Sequence, residues 1–347
     1  MSADGRYRRA DPMIGALATV VIVAVGVGLY KLGQRSGAQH ADVDIERGAS
    51  GAVAAPARWS QSRTSYRGTL TFARNGPHSG AEPEEIVDLD LASGNVRVRL
   101  NGIDPQRTST GETAFLARLT GGYFADRGVV VADARGLTGT PIYTCKEYSR
   151  TNVNCHTPRL SPNEQLVAFG TVGGGGHVCF DKTTEIYWAD YVNVRDRSGA
   201  EVAKFEGYAY PEWLPDGRLL MLGSLCRNAG VWVTDAALKR LTRIDGNQIG
   251  TPAALPAVSP DGKRVALVLN KQLWVMTLDA RHELTQVTEG PYSIGAAAWS
   301  PDGGALAVTL WDVSLPLQAV KLFRPGDERS VVVKQLPFYP YGPLSWH

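Results

Sequence analysis

Four cysteines and two histidines are the residues whose types and positions could do chemistry in this chain. Cys145, Cys155, Cys179 and Cys226 all lie between positions 145 and 226. An even cysteine count in a chain read as exported (below) points to disulfides. Buried free thiols are the alternative. A zinc site would need closer cysteine spacing or histidine partners. His156 and His177 are too scattered to form such a site by themselves. His177 follows Gly173-Gly174-Gly175-Gly176, but no Gly-Lys-Ser/Thr completes a phosphate loop. No Gly-x-Ser-x-Gly nucleophile elbow is present. The sequence therefore marks no catalytic residue and implies no cofactor or resident metal.

The elements that position these residues announce themselves through a recurring turn. Ser259-Pro260-Asp261-Gly262 and Ser300-Pro301-Asp302-Gly303 are its best copies. Leu214-Pro215-Asp216-Gly217 and Ser161-Pro162-Asn163-Glu164 are weaker ones. Proline presets φ at the first corner, aspartate caps the turn, and glycine supplies the positive φ. An apolar run follows each copy, as in Val265-Ala266-Leu267-Val268. In the best repeat, Gln272 to Asp279 then reads as a further strand, and Glu283 to Thr288 as an alternating outer strand. The turn prolines are 53, 45 and 41 residues apart. A period of about 40–50 residues with several short strands per unit predicts a β-propeller.

The order of these pieces resembles the propeller repeats of the TolB family. Lys271 to Asp279 carries the family's second strand almost fully, and Gly230 to Asp235 and Ile86 to Leu91 carry it in part. The resemblance covers about residues 66–347 and is strongest over 208–310. It implies an all-β fold. Unlike TolB, this chain shows no α/β domain ahead of the repeats.

The C-terminal stretch Tyr341-Gly342-Pro343-Leu344-Ser345-Trp346 reads as an inner strand cut off before its turn. The first β-like segments, near 67–72, 85–91 and 95–100, lack an inner strand. The two ends are therefore expected to share one blade, with strand 342–346 pairing to 68–72. The remaining blades fall near 106–154, 155–207, 208–253, 254–294 and 295–340. This makes a six-bladed propeller, with seven blades as the alternative because the second unit has no Pro-Asp turn.

On this reading Cys145 and Cys155 flank one inter-blade loop, and Cys179 and Cys226 follow the second strands of adjacent blades. The expected bridges are 145–155 and 179–226. All four cysteines fall on the propeller face opposite the Pro-Asp turns. Loops are where binding residues concentrate. The partner-binding candidates are accordingly Lys146, Glu147, Tyr148, Arg150, His156, His177 and Arg227. A purely structural role for the bridges is the competing reading. Trp213, Trp232, Trp274, Trp299 and Trp346 recur at repeat positions and are read as packing residues. Asp88, Asp90, Asp235 and Asp279 are read as turn residues.

The N-terminus suggests the compartment. Residues 13–30 form an uncharged apolar run of a length suited to a bilayer, where about 20 residues are needed. Arg6, Arg8 and Arg9 precede it, which favours a cytoplasmic N-terminus. The expected organisation is a tail over 1–11, a transmembrane signal-anchor over 12–32, a Gly/Ala/Ser-rich linker over 33–64 and the propeller over 65–347. A cleaved signal peptide is the rival.

Net charge is +2 for 347 residues, of which 1–40 contribute +3. The rest offers no basic field for nucleic acid. The sequence thus points to a propeller on the periplasmic side of an inner membrane, binding cell-envelope proteins. The other reading is an envelope enzyme of the quinone-dependent sugar dehydrogenase or lyase type, with its site at the central funnel.

Overall fold

A computed structural model describes residues 66–74, 84–119, 126–145, 153–173, 178–179, 185–186, 190–223, 228–249, 254–288, 293–311, 318–324, 331–336 and 340–347. The expected anchor at 12–32 and linker at 33–64 lie outside them. Among the described residues no helix is long and apolar enough to cross a membrane.

The first blade holds β1 (Thr69–Arg74), β2 (Glu85–Asp90) and β3 (Val96–Asn101). The second holds β4 (Ile103–Arg107), β5 (Thr113–Arg118), β6 (Arg127–Ala132) and β7 (Tyr143–Cys145). The third opens with β8 (Val153–Leu160) and β9 (Leu166–Gly173). A small hairpin of β10 (Val178–Cys179) and β11 (Glu185–Ile186) intervenes before β12 (Asp190–Asp196) and β13 (Glu201–Glu206). The fourth comprises β14 (Tyr208–Trp213), β15 (Leu219–Gly223), β16 (Val231–Thr234) and β17 (Leu241–Arg243). The fifth comprises β18 (Ala254–Val258), β19 (Arg264–Leu269), β20 (Gln272–Thr277) and β21 (Leu284–Gln286). The sixth comprises β22 (Ser293–Trp299), β23 (Leu306–Trp311), β24 (Gln318–Phe323) and β25 (Val331–Leu336), and β26 (Pro340–Trp346) ends the chain.

Every blade is a four-stranded antiparallel sheet, and β26 joins the first blade in the order β26-β1-β2-β3. Leu70 pairs with Trp346 and Thr71 with Ser345. The two-ended first blade and the count of six are therefore as the truncated repeat implied.

The turns show why the phrase recurs. Ser259 Oγ accepts from Arg264 N at 2.9 Å and donates to Asp261 Oδ1 at 2.6 Å, while Gly262 sits at φ 68°. Ser300 and Asp302 repeat the arrangement. In the weakest copy Asn163 replaces the aspartate and Glu164 takes the left-handed corner at φ 58°. The Ser259 hydroxyl also holds the Asp261 carboxyl below the usual carboxylate range.

A second repeat went unread in the sequence. Asp104-Pro105, Thr157-Pro158, Tyr210-Pro211, Leu255-Pro256 and Gly342-Pro343 occupy equivalent places in five inner strands, and the first residue of each pair has positive φ. Each pair lies at a register shift in the inner strand's pairing. Proline lacks an N–H and is tolerated in a sheet at edges and bulges. An inner strand is such an edge, since its free side faces the propeller axis.

Apolar clusters join neighbouring blades around the ring. One face of the first blade (Leu70, Phe72, Val87, Leu89, Trp346) packs on Ala305, Ala307 and Val320 of the sixth. Comparable apolar clusters lie between the second and third, third and fourth, fourth and fifth, and fifth and sixth blades. Among the described residues the seam between the first and second differs, with a buried cluster of Ile86, Phe115, Val130 and Ala132 and half-buried Leu100 and Ala117 against it. Indoles add links between blades. Trp213 Nε1 donates to Arg159 O at 3.0 Å and Trp299 Nε1 to Ala257 O at 2.8 Å.

Candidate functional site

Because neighbouring strands are antiparallel, the loops after the second and fourth strands of each blade emerge on one face. The Pro-Asp turns emerge on the other. Cys145 ends β7 and Cys155 lies near the start of β8, and the two are joined in a disulfide with Cα atoms 5.8 Å apart. This bridge ties the outer strand of the second blade to the inner strand of the third, as the strand reading expected. Cys179 sits in the small hairpin after β9. Cys226 lies outside the described residues, as do Lys146, Glu147, Tyr148, Arg150, His177 and Arg227.

His156 is the one partner-binding candidate within the described residues. It sits inside β8, half-buried, with Nδ1 3.0 Å from Thr157 Oγ1 and its ring 5.1 Å from that of Tyr210. Its imidazole fills the space that a side chain at Gly170 would need.

The described rim of this face continues from the disulfide. Arg118, Arg127 and Cys145 lie in register across β5, β6 and β7. The Arg127 guanidinium is buried in a two-pronged contact with Glu84, at 2.6 and 2.7 Å. Arg118 reaches within 3.8 Å of the same carboxylate but is half exposed, and Leu119 beside it is 40% exposed. The described rim thus sets an exposed arginine and leucine above a disulfide and a buried ion pair. Sequence reasoning passed over Arg118 and Leu119. The available signal was a leucine standing just past the end of a buried strand.

The inner strands carry a charged arc that the sequence also did not reveal. Asp104 Oδ2 accepts from Thr157 N at 3.0 Å, and Gln106 Oε1 accepts from Leu160 N at 2.8 Å. Arg159 Nε donates to Glu212 Oε2 at 2.6 Å. Burial raises the Asp104 carboxyl above its ordinary range, opposed by the Thr157 N–H and by Arg159. Burial likewise raises Glu212, opposed by Arg159. These groups spend their hydrogen bonds on one another and on neighbouring inner strands. Their chemistry is to fix the second, third and fourth blades around the axis. Among the described residues no group of three or more His, Cys, Asp or Glu is placed to hold a metal ion.

Asp88 departs from its reading as a turn residue. Asp90, Asp235 and Asp279 do cap turns, accepting from Ser93 N, Lys239 N and Arg281 N. Asp88 instead lies buried within β2, where Thr71 Oγ1 donates to it at 2.7 Å and three arginines surround it.

Comparison with known proteins places this geometry. No protein-family model matches the chain, and no curated protein matches it. Among solved structures, TolB from Acinetobacter baumannii is 14% identical over 77% of this chain and 53% of its own, with a TM-score of 0.41. A putative TolB from Agrobacterium tumefaciens is 15% identical over 80% of this chain and 91% of its own, with a TM-score of 0.49. Kuenenia stuttgartiensis hydrazine synthase is 13% identical over 82% of this chain and 49% of its own, at 0.53. The chain thus spans about half the length of the Acinetobacter protein. At these identities the likeness is one of fold. The fold is a six-bladed β-propeller.

Proposed function

We propose that the protein is a membrane-anchored propeller on the periplasmic side of the inner membrane, binding cell-envelope proteins through its disulfide-bearing face. The observation that carries this reading is the Cys145–Cys155 bridge between two blades. Disulfides persist in oxidising compartments, which agrees with the apolar run at 13–30 preceded by Arg6, Arg8 and Arg9. The bridge also ties the end of β7 to β8, on the rim that carries exposed Arg118 and Leu119. A rim fixed in advance loses less entropy on binding. Co-purification of the full chain from mild detergent, followed by mass spectrometry, tests the proposal. Specific recovery of envelope proteins supports it, and recovery of none counts against it.

A further inference from the structure

The seam between the first and second blades holds a concentration of positive charge and unpaired hydrogen-bond donors. Ser345, Thr71, Asp88 and Arg97 are in register across β26, β1, β2 and β3, so their side chains share one face of the first blade. That face looks at the second blade, because Ser345 Oγ accepts from Arg107 N at 3.1 Å. Arg97 Nη2 and Arg107 Nη1 lie 3.3 and 3.2 Å from Asp88 Oδ2, and Arg99 Nη1 lies 3.9 Å from it. Arg99 Nη2 also donates to the carbonyls of Gly111 and Ala134. Three guanidiniums, which stay charged in proteins, thus meet one carboxylate.

The donors around this excess charge are incompletely used. Arg107 Nη1 contacts His347 Nε2 at 2.7 Å. A guanidinium only donates, so Nε2 accepts and the ring proton sits on Nδ1. His347 Nδ1, Arg99 Nε, Arg107 Nε and Thr113 Oγ1 are all buried with no hydrogen-bond partner. Thr113 pairs in register with Arg107, which puts its hydroxyl on the same side of the second blade. Buried donors without partners are rare, and buried charge without compensation is costly. Arg97, 72% exposed, marks the side open to solvent, whereas Arg99 and Arg107 are 12% and 15% exposed.

We infer that this seam is a binding site for a small doubly charged oxyanion of the phosphate or sulfate class, held by Arg97, Arg99, Arg107, Thr113 and His347. Two uncompensated positive charges match a dianion, and the unused N–H and O–H groups match its several acceptor oxygens. Bound there, the ion joins the two blades at the place where the apolar packing is thinnest.

The test uses the full chain in mild detergent, with melting and calorimetric titration against inorganic phosphate, sulfate and, at equal ionic strength, chloride. Phosphate and sulfate are expected to bind saturably and chloride not to. Arg97→Gln, at an exposed position, should melt like the parent without the ion and bind at least about tenfold more weakly, the loss of one charge-assisted hydrogen bond. Asp88→Asn should bind more tightly, since it raises the positive excess. Glucose 6-phosphate run beside inorganic phosphate shows whether the oxyanion arrives free or carried, and saturable binding of either one supports the site. Sulfate and phosphate also stabilise proteins through exclusion from the surface. A shift that is not saturable, or is equal in the parent, Arg97→Gln and Asp88→Asn, would overturn the inference.

Discussion

Trp346 Nε1 donates to Arg67 O at 3.0 Å, joining residues 279 positions apart in the chain. The bond fastens the last inner strand to the segment that leads into β1. Around it, Thr69 N donates to His347 O and His347 N to Thr69 O. Ring closure therefore depends on contacts between the two ends of the described propeller. Closure removes the sheet edges an open array would expose.

Trp346→Ala should lower stability by about 3–5 kcal/mol, the usual cost of truncating a buried tryptophan. Deleting residues 343–347 should be more damaging, because β26 loses its pairing with β1. Chemical denaturation checks both. A deletion variant that unfolds at the parent's midpoint would show that the ring closes some other way.

Removing the Cys145–Cys155 bridge, by Cys145→Ser with Cys155→Ser, should cost about 2–3 kcal/mol, given the short loop it closes. Reduction of the parent should produce at least that loss. If the double variant melts like the oxidised parent, the bridge does not constrain this part of the chain.

Asp104 separates a hydrogen bond from a charge. Asp104→Asn keeps an acceptor for Thr157 N and removes a carboxylate whose ionisation burial opposes. Stability at neutral pH should hold or rise. Asp104→Ala leaves the Thr157 N–H unpaired and should cost about 1–3 kcal/mol. Equal losses in both variants would argue that the charge itself is needed.

Acid should weaken the seam between the first and second blades through His347. Burial first, then the Arg107 guanidinium, lower its pKa from 6.5 to about 4. Between those values the unfolded chain binds more protons than the folded one. Stability therefore falls as pH drops through that window. His347→Gln should flatten this part of the profile of melting temperature against pH. Identical slopes in parent and variant between pH 7 and 4 would refute the assignment.

What could be read in advance was what is local. The Ser-Pro-Asp-Gly turn closes on itself within six residues, as the Ser259–Arg264 contacts show, so its sequence betrays its shape. The closing strand was legible because residues 341–346 match an inner strand. The blade assignment then placed Cys145 and Cys155 on either side of one loop. Asp88 looked like a turn residue because its partner Arg107 belongs to another blade and stands 19 positions away. The Arg159–Glu212 pair spans 53 positions and two blades, and no local pattern announces it. The X-Pro bulges were visible as letters, but their meaning depends on the inner strand having a free edge.

Topology can be checked independently of binding. A reporter active only in oxidising compartments, fused after residue 60, should be active, and a cytoplasm-only reporter at the same point should be silent. The reverse pattern would place the propeller in the cytoplasm.

The most direct measurement compares the two faces of the propeller. Lys146, Glu147, Tyr148, Arg150, His177 and Arg227 are replaced together by alanine in one variant, with Arg118→Ala and Leu119→Ala in a second. Arg218 and Lys263, exposed on the Pro-Asp face, are replaced in a third. Surface changes alter stability by about 0.5 kcal/mol, whereas loss of an interface anchor costs at least about 2 kcal/mol of binding. Quantitative co-purification of envelope proteins should collapse in the first variant and weaken in the second, with melting temperatures close to the parent's, and stay intact in the third. Retention of every partner by the first two, with loss in the third, would contradict the account and move the binding surface to the face of the Pro-Asp turns.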